Sequence, residues 1–251
     1  MSKESRNYRN TLDFVESGFV ACWLNAGDLV SASQQLIDSG LHAPALSLAV
    51  LALEELGKLF AIDGLLFARH DDHKAAAFTN SYQKHSLKLE IFELFPFLLL
   101  NLSRADPRFG KEQEYNRAVA MSVRDLKDAG NAVMLEAKKA GFVSLDKWKQ
   151  SGLYASEVGR GLLAPREAVK PSLAKAAHRL AWRAATTLDF VLKDGNLGRY
   201  IENARSVRAK LTEEEHKELE RLGEELAGKL FCGPSDGRNL QARETAPGGT
   251  N

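Results

Sequence analysis

Five residues of this chain have types and spacings that suit acid–base chemistry beside concentrated charge. Glu54, Glu55 and Lys58 sit in the run Glu54-Glu55-Leu56-Gly57-Lys58, and His85 and Lys88 stand one helical turn apart further on. Such chemistry needs a group that takes a proton, a group that returns one, and positive charge where negative charge develops. The imidazole of His85 can act as base or acid near neutral pH. Lys58 and Lys88 supply positive charge, while Glu54 or Glu55 orients the imidazole and holds the lysines in place. This scheme needs no metal and no cofactor.

The elements that carry these residues are helices with strongly apolar surroundings. At 100° per residue, Lys58 projects about 40° from Glu54 and about 60° from Glu55, so the three share one sector of the helix. Leu51, Ile62 and Leu65 fall in that sector too, while Leu46, Ala49, Leu53, Leu56, Phe60 and Phe67 form a core stripe on the other side. Charges among such neighbours face another surface rather than open water. His85 and Lys88 share their face with Phe78, Tyr82, Leu89 and Phe92, and a buried ammonium or imidazolium needs a polar partner. Two adjacent antiparallel helices would bring the glutamates to them. The plainer readings are a solvated Glu–Lys pair worth about 0.3 to 0.5 kcal/mol, a histidine satisfied within a core, and a Gly57 that only permits close helix approach.

Helical periodicity runs through nearly every segment and no stretch alternates long enough to propose a sheet, so the fold class is all-α. The first helix is expected over Tyr8–Ser39 and is closed by Gly40, and the second covers Pro44–Ala68. A third covers Ala75–Leu102 with a kink or restart at Pro96, and a fourth covers Lys111–Ala140 with Gly141 as its stop. These make a four-helix bundle over residues 1–141. Residues 142–171 read as a linker or lid with a short helix around Trp148, residues 172–232 as a C-terminal helical extension, and residues 233–251 as a disordered tail. Thr212 and Glu215 have the spacing of a capping box, and no internal repeat is present.

The segment from Ala26 to Lys58, ending Leu51-Ala52-Leu53-Glu54-Glu55-Leu56-Gly57-Lys58, resembles the AbiV family of bacterial abortive-infection proteins, and His85 with Lys88 matches the His-x-x-Lys element that follows there. The resemblance covers roughly Asp13 to Gly141 and fades beyond. It implies membership of the HEPN superfamily and, with it, a HEPN-like antiparallel bundle with additional C-terminal helices. It further implies a homodimer and, as in many members, metal-independent RNA cleavage at a cleft between protomers. Many HEPN ribonucleases carry an Arg followed by four to six residues and then the catalytic His. This chain departs from that pattern, because Asn80 stands where the Arg would precede His85 and none of the other five histidines has an Arg at the required offset.

Thirty-four basic against 33 acidic residues give a net charge of +1, which argues against a protein that coats nucleic acid by bulk electrostatics, and no DNA partner is expected. A local basic site is compatible with that balance. Arg117, Arg124 and Lys127 share one face of the fourth helix and, with Asn80, are candidate RNA contacts, the alternative being a solvated face. The run Arg69 to His73 contains metal-ligand residue types, but a charged helix connection produces such runs freely, and no metal site is assigned. Two distant cysteines, Cys22 and Cys232, favour a reducing compartment. The polar Met1–Asn10 stretch lacks the apolar core of a signal peptide, and Phe92–Leu102 is too short to span a bilayer, so the cytoplasm is the expected location. The leading expectation is a phage-defence toxin that cleaves RNA, with a phage-encoded trigger protein as a further partner. The alternative is a non-catalytic binding module whose buried polar network serves dimerisation or the capture of a phage or host protein.

Overall fold

A computed structural model describes residues 12–67, 95–141, 145–154, 156–158, 161–215 and 217–218. Helix α1 spans Leu12–Asp38 and α2 spans His42–Phe67. They are joined by a turn at Gly40, whose φ of 75° is left-handed backbone that suits glycine. Helix α3 is Phe95–Arg104 and contains Pro96. Helix α4, Gln113–Lys139, ends at Gly141, again with a φ of 75°. Both glycines thus close helices where the sequence pattern places the stops. The rest of the expected third helix, including His85 and Lys88, lies outside the described residues.

Helix α2 has no single core stripe. Leu46, Ala49, Leu53 and Leu56 are fully buried as expected, but so are Ala45, Val50, Ala52 and Leu59 from the remaining sides. A helix apolar all round belongs at the centre of a bundle, and α2 is packed against α1 and against elements that follow α4. The first of these is α5, Leu145–Leu153, within the stretch read as linker or lid. Its Trp148 is 1% exposed and belongs to the main core. Next come two three-residue strands, β1 (Ser156–Val158) and β2 (Gly161–Leu163), paired antiparallel with Ser156 opposite Leu163. Strands this short carry no alternation to read in a sequence, and the fold remains all-α.

A short helix α6, Pro165–Ala168, leads into α7, Pro171–Leu192, which packs against α1, α2, α3 and α4. Its inner face is built on Ala174, Ala177, Ala181 and Ala184, each at 0% exposure, with Leu173, Leu180 and Leu188 beside them. A 3₁₀ turn over Lys193–Gly195 then introduces α8, Asn196–Arg208. The buried Asn196 side chain donates 2.8 Å hydrogen bonds to the carbonyls of Leu102 and Val191, tying α3, α7 and α8 together. One core runs from Val15 to Ala204, so the boundary expected at residue 141 does not appear in the packing. The physical reason is that α7 is a member of the bundle rather than an extension of it.

The loop between α3 and α4 is fixed from both ends. Asp106 is 3% exposed and accepts hydrogen bonds from the Arg108 guanidinium at 2.9 and 2.7 Å, which hold its carboxyl below the usual carboxylate range. Arg108 lies 4.6 Å over the Tyr115 ring, and that ring stacks on Phe190 of α7 at 5.5 Å. Near the end of the described chain, Thr212 and Glu215 form the expected capping box, with Thr212 N–H to the Glu215 carboxylate at 2.7 Å and Glu215 N–H to the Thr212 hydroxyl at 3.3 Å. Among the described residues no helix is long and apolar enough to cross a membrane.

Candidate active site

Helix α2 holds Glu54, Glu55 and Lys58 in one sheltered sector. The Glu54 side chain is 3% exposed, and its carboxylate accepts a 2.6 Å charge-assisted hydrogen bond from the Lys149 ammonium on α5, which is 12% exposed. Glu55 and Lys58 form an ion pair across one helical turn, with side-chain exposures of 15% and 16%. Glutamate–lysine pairs on a solvated face are far more open than this. Both carboxylates therefore have their charge balanced by a lysine in a setting largely closed to water, where electrostatic interactions are stronger than at a surface.

The docking of α5 on α2 sets the position of Lys149. Trp148 enters the core, and the Ser47 hydroxyl of α2 donates to the Lys149 carbonyl oxygen at 2.7 Å. At Gly152 the backbones come so close that an added Cβ would lie 2.2 Å from the Ser47 hydroxyl oxygen and 2.4 Å from the Ala43 carbonyl oxygen. Only glycine fits there, and with it the preceding turn brings the lysine stem to Glu54. Lys149 was not among the residues singled out by sequence. The helix around Trp148 was legible, but a partner for Glu54 that lies 95 residues away leaves no trace in periodicity.

His85, Lys88 and Asn80 lie outside the described residues, as does the run Arg69 to His73. Arg117, Arg124 and Lys127 are exposed on α4, and the Arg124 side chain, 84% exposed, approaches Asp128 at 4.0 Å. The cleft beside α4 instead presents Asp125 and Asp128, and its basic side chains, Arg179 and Arg183, come from α7. Among the described residues no group of three His, Cys, Asp or Glu side chains is placed to hold a metal ion.

A second buried polar pair lies on the far side of α2. Asp63 accepts a 2.5 Å hydrogen bond from the Tyr200 hydroxyl of α8. Burial pushes the Asp63 carboxyl up to about 6, the hydrogen bond opposing it in part, and burial likewise raises the Tyr200 phenol. Nine residues from Glu54, Asp63 projects about 180° away from it, so the pair is separate from the Glu54 sector.

A family model described as AbiV, of the HEPN group, matches residues 14–185. The match runs well beyond the Asp13–Gly141 span of the sequence resemblance and takes in α5 and most of α7. That extent agrees with the packing, since those helices complete the core around α2. No curated protein and no solved structure matches the chain.

Proposed function

The chain belongs to the AbiV family of HEPN-domain abortive-infection proteins, and from that premise we propose that it is a phage-defence toxin that cleaves RNA without a metal, at a cleft between two copies. In this reading His85 takes the proton of a ribose 2′-hydroxyl, the freed oxygen attacks the neighbouring phosphorus, and the bond to the 5′-oxygen breaks as that oxygen takes a proton from water, His85 later returning its own proton to solvent. Lys58 and Lys88 neutralise charge on the phosphorane. Glu55 holds the Lys58 ammonium, and Glu54 is held in turn by Lys149. The products are a 2′,3′-cyclic phosphate and a 5′-hydroxyl. A phage-encoded protein is the proposed trigger and the cytoplasm the proposed place of action.

The observation that supports this reading is the sheltered setting of Glu54, Glu55 and Lys58, whose side chains are 3%, 15% and 16% exposed. Preorganised charge in a water-poor site is what phosphoryl chemistry requires. The test is the purified protein with RNA and excess EDTA, comparing wild type with His85→Ala and Lys58→Ala. Loss of about a hundredfold or more of the cyclic-phosphate product, with the fold intact by circular dichroism, is the expected result. Folded variants that keep both cleavage and growth inhibition sink the mechanism.

A second reading draws on the Glu54–Lys149 bridge itself. A pair so nearly closed to solvent, joining helices far apart in sequence, also suits a non-catalytic module whose polar network fixes its structure for dimerisation or partner capture. Under that reading, substitutions at Glu54 lower stability, and wild-type protein cuts no RNA even with its trigger present.

A further inference from the structure

Between α1 and α7 runs an open groove of about 760 Å³, within the size range of small-ligand sites. On the α7 side, Lys175, Arg179 and Arg183 recur every four residues, stepping about 6 Å along the helix axis. His178 and Trp182 are interleaved with them, also one turn apart. Asp38 of α1 is the one carboxylate in the lining, and its Oδ1 already accepts a 2.7 Å hydrogen bond from Gln34. Arg183 is engaged with Asp125 at 3.2 Å, and its guanidinium lies over one face of the Trp182 ring, 5.1 Å from the centroid, leaving the other face for stacking. Lys175 and Arg179 have no ionic or hydrogen-bond partner among the described residues.

Trp182 is unlike the other two tryptophans. Trp148 is 1% exposed, and Trp23 is partly buried with its indole N–H donating to Asp189, whereas Trp182 is 43% exposed. An indole left in water beside two free cations presents a stacking face next to phosphate-binding charge. His178 adds a polar edge. Its Nδ1 is buried and unpartnered, and burial holds the imidazole toward its neutral form against the pull of Asp38.

We propose that this groove binds a nucleotide unit, with the base stacked on Trp182 and the phosphate held by Lys175 and Arg179. The unit is either a free nucleotide or one link of a single-stranded RNA. The proposal deepens the RNA reading above and rests on it for the choice of RNA, but none of its residues belongs to the proposed cleavage set.

The test uses the full-length protein, a fluorescently labelled oligouridylate made uncleavable by 2′-O-methylation, and AMP as the mononucleotide arm. Fluorescence anisotropy follows the strand, and quenching of tryptophan emission in the wild type follows AMP. Trp182→Ala is expected to weaken strand binding about tenfold or more, in the range lost when one base loses its aromatic platform, while Trp182→Phe retains most of it. Lys175→Ala and Arg179→Ala are each expected to reduce the slope of log affinity against log salt by about 0.7. Tight AMP binding that competes with the strand identifies a free-nucleotide site, and strand binding without AMP binding identifies an RNA track.

Wild-type protein that binds neither probe at millimolar concentration, or binding unchanged within twofold in Trp182→Ala and in Arg179→Ala, overturns the proposal. Because the strand cannot be cut, binding that depends on the groove in a protein with no nuclease activity removes only the cleavage mechanism. Cleavage that is indifferent to all groove variants removes only the groove.

Discussion

Replacing Lys149 by Met keeps a long apolar stem beside α2 but withdraws the ammonium that stands 2.6 Å from the Glu54 carboxylate. The carboxylate stays where it was, in a side chain 3% exposed, and loses this cation while keeping its other contacts. Breaking a buried pair by removing one member costs roughly 3 to 5 kcal/mol. Lys149 retains 12% exposure, so some water reaches the vacated end and the lower figure, about 3 kcal/mol, is the expectation. For a chain of this length each kcal/mol moves the melting temperature by about 2 to 4 °C, which gives a fall of about 6 to 12 °C. The assay is thermal and urea unfolding followed by far-UV circular dichroism, carried through a double-mutant cycle with Glu54→Gln. Once Glu54 is a neutral amide the charge left behind by Lys149→Met is gone, so the double variant should be no less stable than Lys149→Met alone, with a coupling of about 1 to 3 kcal/mol. A Lys149→Met protein within about 0.5 kcal/mol of wild type, or two single effects that simply add, would refute the claim that this bridge fixes α5 to α2.

Gly152→Ala tests the same joint from the backbone side. A methyl group 2.2 Å from the Ser47 hydroxyl oxygen and 2.4 Å from a main-chain carbonyl forces the helices apart, and a loss of about 1 to 3 kcal/mol is expected in the same melts. A neutral effect would mean that α5 can shift without cost. Asp63→Asn gives a pH-dependent outcome. With its carboxyl near 6 in the folded protein against an ordinary 3.8, the folded chain holds a proton that the unfolded chain has released between about pH 4 and 6. Wild-type stability therefore falls as pH rises through that window, by about 3 kcal/mol in all. The variant lacks this slope and should gain on wild type from pH 4 to 7; parallel stability curves would show that Asp63 titrates normally.

What could be read from the sequence was local. Gly40 and Gly141 mark helix ends because a left-handed residue after the last turn is a signal contained in one position. The sheltering of Glu54, Glu55 and Lys58 was legible because their apolar neighbours share the same helix. Lys149 was not, since its role comes from helix α5 folding back over α2 and nothing near residue 149 refers to Glu54. Helix α7 was seen as a helix but not as part of the core. Its inner face is mainly alanine, which carries little hydrophobic signal per residue while allowing neighbouring helices to pack closely around it. The basic residues sought on α4 illustrate a related limit. Periodicity places side chains on a face, and only tertiary packing reveals that the cleft beside that helix shows Asp125 and Asp128 while the cations flank α7.

The span of 95 residues between Glu54 and Lys149 also has a meaning in time. On a ribosome adding about 5 to 20 residues per second, roughly 5 to 20 s separate the synthesis of the glutamate from that of the lysine that pairs with it. Helix α2, apolar on every side, emerges early and passes that interval without α5 and α7, two of the helices that pack against it in the finished fold. The Glu54 carboxylate acquires its ammonium partner only once α5 has been made. A nascent chain therefore carries its acidic cluster in an unfinished setting until most of the molecule exists, and the assembled site is a property only of the completed bundle.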